Sequence, residues 1–333
     1  MDAIRSLPLG DARFRARTAT PQGRNGSLGR PVFVVGVARS GTTWIGNVLG
    51  RAEGAIPIME PDNVDSEPIA RAALNGLHRL PLFLPGDALP SHYARLWDVA
   101  FSGGWPERYP FSWVRDRARR LPWPVLRATY PPLAVASVAA RRRLRLGAAS
   151  TSTVVVKSVL AILALERLWE IYQPRVVVVR RNLFAVANSH ADRGWGLNRM
   201  GERLDVQERL VRPLDLPEHD IAAPPISRKA WELGLLSRML EDACSRHPEW
   251  PVVWHEDAVA SPHAEFRSLF DDVGLPWAES AERFIDENRR ESRPKDRGAP
   301  DRRWVHRYDG DAVRRMTGVY ASFGLDPRAY STE

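Results

Sequence analysis

The chain has 333 residues, a hydrophobic content of 44% and a formal net charge of +8, enough for one large α/β domain or two small ones around a real core. The basic balance predicts anionic partners such as nucleotides, nucleic acid, acidic sugars or anionic lipid, and arginine carries nearly all of it, lysine standing only at Lys157, Lys229 and Lys295. A single cysteine, Cys244, excludes an internal disulfide and a cysteine-based zinc site, and with no apolar run of the length a membrane helix needs the expected location is cytoplasmic.

Residues 1–30 are polar and arginine-rich, without periodicity and without the apolar stretch of a secretory signal, and are expected to form a loose arm. Pro31 then opens Val32-Phe33-Val34-Val35-Gly36, a continuous apolar run of the kind found in a strand buried on both faces. A helix is predicted over 42–51, a short strand over 55–59, a strand over 153–156 and a helix over 159–172. Val176 to Val179 forms the clearest strand, followed by a helix from about 185 to 191. Val252-Val253-Trp254 is a further strand, leading into a helix over about 263–273. Strand alternating with helix predicts an α/β fold: one P-loop-like domain over 31–330 with a central, mostly parallel sheet flanked by helices. Two stretches interrupt the alternation, one over about 76–148 rich in Pro, Trp and Arg, the other over 192–228, polar and proline-containing. Both are expected as insertions over the ligand-binding edge, forming the acceptor side.

The sharpest local signal is Gly36-Val37-Ala38-Arg39-Ser40-Gly41-Thr42-Thr43-Trp44, placed where the first buried strand hands over to a helix. A tight turn there aims successive backbone N–H groups at one point, and the helix N-terminus adds about half a positive charge. Gly41 lets the backbone approach an oxygen-rich group, while Ser40, Thr42 and Thr43 supply hydroxyls and Arg39 a cation. The expected ligand is phosphate or sulfate. The loop is not the Gly-Lys-Ser/Thr of a nucleoside-triphosphatase, because Gly41 is followed by Thr42 and the cation precedes the glycine. Downstream, the strand over 176–179 runs into Arg180-Arg181, with Ser189 eight residues after Arg181. An arginine at a strand's carboxyl end and a serine on the next helix can clamp a second anion. A triphosphatase would instead place a magnesium-organising carboxylate after such a strand.

Arg39-Ser40-Gly41-Thr42-Thr43-Trp44 resembles the 5′-phosphosulfate loop of sulfotransferases that use 3′-phosphoadenosine 5′-phosphosulfate (PAPS), and its arginine is most similar to the carbohydrate and tyrosylprotein branches. The second segment resembles the family's 3′-phosphate site, departing from it with Leu183 where Pro is usual and Ala185 where Asp is common. The resemblance implies PAPS as co-substrate, 3′,5′-ADP as product and no metal. Arg39 would hold the phosphosulfate oxygens, Ser40, Gly41, Thr42, Thr43 and Trp44 would complete the loop, and Arg181 with Ser189 would bind the 3′-phosphate. Arg180 is the competing cation. Trp254-His255-Glu256-Asp257, ahead of Gly274-Leu275, is similar to a late structural segment of the family.

Sulfuryl transfer resembles phosphoryl transfer, so the protein must position two partners, supply cations and provide a base for the acceptor's proton. Glu60 follows the second strand, and Glu60-Pro61 resembles the Glu-Pro of carbohydrate sulfotransferases, which makes Glu60 the candidate base; His92, His190 and His255 are the alternatives. Lys157, after the strand ending at Val156, is placed to stabilise the leaving group. Arg297-Gly298 through Arg302-Arg303-Trp304 is a candidate closing segment over the nucleotide. On the acceptor side, Trp97, Trp105, Trp113 and Trp123 with the clusters Arg115 to Arg120 and Arg141 to Arg145 suit a carbohydrate or lipid-linked acceptor, or a peripheral contact with an anionic membrane. A small-molecule acceptor is equally compatible, and no nucleic-acid module is visible. The rival readings are a small-molecule kinase using ATP and magnesium, and a non-catalytic nucleotide- or membrane-binding protein on the same scaffold.

Overall fold

The computed structural model describes residues 29–65, 67–103, 152–291 and 302–332. Val32 to Val35, Val154 to Val156 and Val176 to Val179 are each at most 1% exposed. Runs of β-branched residues buried on both faces are what a parallel sheet needs, since helices cover both of its sides. They form β1 (Gly29–Gly36), β3 (Thr153–Ser158) and β4 (Arg175–Arg180), which with β2 (Ala55–Met59) and β5 (Val252–Trp254) make a five-stranded sheet of order β2-β3-β1-β4-β5. Every pairing is parallel, with Met59 opposite Lys157, Val35 opposite Ser158, Gly36 opposite Val179 and Arg180 opposite Trp254.

Alternate strand residues feed two cores, as a period of two requires. Val32, Val34, Val155, Val177 and Val179 pack against α1 (Thr42–Leu49) and α8 (Pro262–Asp272), through Ile45, Phe266 and Phe270. Phe33, Val35, Val154, Val156, Val176 and Val178 face a larger layer that includes α3 (Ser91–Phe101), α4 (Leu165–Tyr172), α5 (Leu183–Asp192), α6 (Pro225–Arg246) and α10 (Gly310–Ser322). α2 (Pro68–Ala73) and α7 (His255–Ala260) are short, as is the single helical turn Leu204–Val206, and α9 (Glu279–Glu291) lies beside α1.

Several boundaries differ from the expected ones. Lys157 lies within β3 rather than after it, because the strand runs to Ser158. The helix expected from 159 begins at Leu165, after a tight turn in which Ser158 Oγ accepts the amides of Leu160 (3.0 Å) and Ala161 (3.2 Å). The helix expected from 185 begins at Leu183, capped by Asn182 Oδ1, which accepts from Phe184 N at 3.1 Å. The described part of the 76–148 stretch packs α3 into the core. Trp97 is fully buried, its ring edge-on to Phe33 at 5.6 Å and stacked on Phe101, so it is a core aromatic and not a surface for stacking sugars. Trp105, Trp113, Trp123, the arginine clusters at 115–120 and 141–145, most of the N-terminal arm and Arg297-Gly298 lie outside the described residues. Among the described residues no helix is long and apolar enough to cross a membrane.

Candidate active site

Parallel strands all release their chains at the same edge, and ligands of open α/β sheets bind there. In this molecule all five carboxyl ends contribute to one cleft of about 360 Å³: Arg39 after β1, Glu60 after β2, Lys157 at the end of β3, Arg181 after β4 and His255 after β5. Thr42, Thr43, Trp44 and Asn47 of α1 form one wall, joined by Phe284 and Asn288 of α9, and Trp195 reaches in from the segment after α5.

The loop from β1 to α1 is tightly wound. Ser40 N donates to Val37 O at 2.9 Å, and both Arg39 (φ 75°) and Gly41 (φ 98°) occupy the left-handed region. Glycine takes that conformation without penalty, and a Cβ at Gly41 would collide with the His255 ring. The first amides of α1 have no intrahelical acceptor and open on the cleft, where the helix dipole favours an anion. Ser40 departs from its expected place: its hydroxyl is buried beneath the loop and lines a separate small void with Arg180, Arg181 and Glu241. Trp44 presents one side to the cleft, and its ring meets Phe266 at 5.0 Å and His255 at 6.2 Å.

The segments around 36–44 and 176–190 are stitched together. Arg39 Nε donates to Ser189 Oγ at 2.9 Å, Arg181 Nη1 donates to Arg39 O at 2.9 Å, and His190 Nε2 donates to Ala38 O at 2.9 Å. Partial burial and then the charge of Arg193 hold the Arg39 guanidinium below its usual range. The neighbouring cation Arg180 turns away, towards Glu241 at 4.0 Å and the Trp254 ring at 5.9 Å, so of the two arginines it is Arg181 that faces the cleft. Burial pushes His190 down to about 4, which keeps its ring neutral; with Nε2 committed to Ala38 it supports the loop and lies outside the cleft lining. His92 sits exposed on α3, also outside the lining. Among the three alternative histidines only His255 lines the cleft.

Glu60 and Lys157 form an ion pair at the cleft floor, the lysine side chain 2% and the glutamate side chain 26% exposed. Asn63 Nδ2 donates to the other carboxylate oxygen at 2.6 Å. Burial alone would raise the Glu60 pKa, but the charge and hydrogen bond of Lys157, aided by Asn63, outweigh it and hold the carboxyl below its ordinary value. The site therefore combines three cations, a helix N-terminus and one ionised carboxylate, an arrangement that can attract a polyanion and place a proton acceptor beside it.

Sequence reasoning missed Trp195, Asn47, Phe284 and Asn288. Trp195 is 47% exposed, and its segment is held by Trp195 N to His190 O at 3.0 Å and by Lys229, which is bonded to Gly196 O. An isolated Arg-Gly-Trp in a polar stretch carries no periodic signal; the neighbourhood comes from the fold.

No protein-family model matches the chain, and no curated protein matches it. Among solved structures it is similar to the sulfotransferase domain from the curacin biosynthetic pathway, at 14% identity over 77% of each chain with a TM-score of 0.43. It is also similar to the sulfotransferase STF9 from Mycobacterium avium, at 14% identity over 90% of this chain and 78% of that one, TM-score 0.44. The sulfotransferase STF1 from Mycobacterium tuberculosis H37Rv shows 15% identity over 88% and 77%, TM-score 0.37. At such identities and scores, what the chain does has to be read from its own site.

Proposed function

We propose that the chain is a sulfotransferase that moves the sulfuryl group of PAPS to a hydroxyl or amine of an acceptor. One observation carries the reading: the α1 N-terminus, Arg39 and Arg181 converge on the same cleft as the Glu60–Lys157 pair. The residues present fit a nucleotide with two separate anionic groups. The cradle made by Gly41, Thr42, Thr43 and Arg39 suits the 5′-phosphosulfate and Arg181 the 3′-phosphate; Ser189, buried and outside the cleft lining, accepts from Arg39 and would have to turn from it to join Arg181 there.

Glu60 takes the acceptor's proton as the acceptor oxygen or nitrogen bonds to sulfur. The bond from sulfur to the 5′-phosphate oxygen breaks, and its electron pair leaves with 3′,5′-ADP. Arg39 and Lys157 offset the charge that accumulates on the transferred and bridging oxygens, in a partly enclosed cleft where such interactions are stronger than in water. Lys157 is paired with Glu60; turning its ammonium to the sulfuryl oxygens would release Glu60 from the interaction that lowers its basicity.

The test is a pair of assays on the purified chain, one following label from [³⁵S]PAPS with EDTA present, the other following [γ-³²P]ATP with magnesium. The reading predicts 3′,5′-ADP release from PAPS that EDTA leaves intact. Phosphoryl transfer from ATP with a strict magnesium requirement would replace it with a kinase.

A further inference from the structure

Glu60 stands in the left-handed region (φ 51°), where a residue with a side chain is strained. Something must hold it there. Its amide donates to Lys157 O at 2.7 Å, extending the β2–β3 ladder by one step, and its carbonyl accepts from Asn63 N at 3.1 Å. Two residues on, Asp62 is 1% exposed, and both of its carboxyl oxygens lie by Ser158 Oγ, at 2.8 and 2.7 Å. Ser158 is itself fully buried and anchored, since its oxygen accepts the amides of Leu160 and Ala161. Consecutive residues at the end of β3 thus grip alternate residues of the turn: Lys157 holds Glu60, and Ser158 holds Asp62. Asp62 is absent from the cleft lining, so it has no route to substrate. A buried carboxyl costs stability, and the groups around it (Glu60, Lys157 and the Tyr93 phenol) do not neutralise it in a close ion pair.

We infer that Asp62 is a positioning residue: through Ser158 it locks the left-handed Glu60 turn onto the end of β3 and so fixes where the Glu60 carboxylate stands relative to Lys157. The consequence for turnover rests on Glu60 being the base; the latch itself does not.

The experiment follows Glu60 in the whole chain by carboxyl ¹³C NMR, its signal identified by its loss in Glu60→Gln, together with exchange of the Glu60 amide. Asp62→Ala and Ser158→Ala should move the Glu60 titration up towards that of an ordinary glutamate and speed its amide exchange by about tenfold or more. Asp62→Asn, which keeps the shape and an acceptor for Ser158, should stay near wild type. Added to Glu60→Gln, Asp62→Ala should cost little further PAPS turnover, since the two act as a unit. Should Asp62→Ala fail to fold, Ser158→Ala, which deletes a single hydroxyl, carries the test. Folded Ala variants with wild-type Glu60 titration and amide exchange overturn the inference. Absent 3′,5′-ADP binding in the wild-type chain overturns the proposed function instead, and leaves the latch to its own readout.

Discussion

Glu60 and Asp62 are two carboxyls, two positions apart, that their surroundings push in opposite directions. Lys157 and Asn63 keep Glu60 ionised, while burial raises Asp62 to about 7 from an ordinary 3.8. For Glu60 the expectation is kinetic. Glu60→Gln should lower turnover by about 10²–10⁴, the contribution of a positioned base, and leave the 3′,5′-ADP dissociation constant unchanged; near-normal turnover would move the base to His255. For Asp62 the expectation is thermodynamic. From about pH 4 to about pH 7 the folded chain holds a proton on Asp62 that the unfolded chain has lost, so stability falls as pH rises through that window and levels off above it. Asp62→Asn should remove that contribution, at most about 1.4 kcal/mol per pH unit, and flatten the dependence. Urea midpoints across the window check this, and an unchanged slope would show that Asp62 does not titrate there. Arg181→Ala should weaken 3′,5′-ADP by roughly 1.5–3 kcal/mol, the size of a hydrogen bond to a charged group. Binding of adenosine 5′-phosphosulfate, which lacks the 3′-phosphate, should weaken less; equal losses would refute the assignment.

At the scale of elements, the β1–α1 loop was the most legible part of the chain, because its composition is dictated by backbone geometry. Gly41 needs its positive φ and the space beside His255, and Gly36 has room for no Cβ, with Val179 O at 2.5 Å and Ser40 Oγ at 2.7 Å from where one would stand. Gly41→Ala should therefore abolish 3′,5′-ADP binding and lower the melting temperature, read by calorimetry; an alanine variant with normal affinity would mean that the loop does not hold the anion. The central strands were equally plain, since fully buried parallel strands have almost no freedom of composition. Boundaries were less so. Nothing in Thr153-Val154-Val155-Val156 shows that pairing continues through Lys157 and Ser158, because that is decided by partners on β1 and β2 far away in sequence. The helices α3, α6, α9 and α10 were not anticipated: in α6 the apolar stripe is broken by Arg, Lys and Gly, and in α10 by Arg and Gly.

For the whole molecule, the sequence carries the sheet edge and most of the charge at the site, but not its closure. Arg39, Glu60, Lys157 and Arg181 follow from strand ends, which a strand–helix alternation locates. Trp195 and Phe284 come to the same cleft only through tertiary packing, and the pattern of residues offers no local mark of that. Arg180 and Arg181 are likewise separated by packing: Arg181 lines the cleft, while Arg180 lies 4.0 Å from Glu241 on α6. If this cleft takes a nucleotide with a 3′-phosphate and a 5′-anion, thermal unfolding of the chain with 3′,5′-ADP, with ATP and with buffer alone will register it. At a hundred times its dissociation constant a ligand adds about 2.7 kcal/mol of stability, a shift well within reach of the measurement. 3′,5′-ADP should raise the unfolding temperature in EDTA, and ATP should do so far less. A shift with ATP and magnesium, and none with 3′,5′-ADP, would contradict the proposed function.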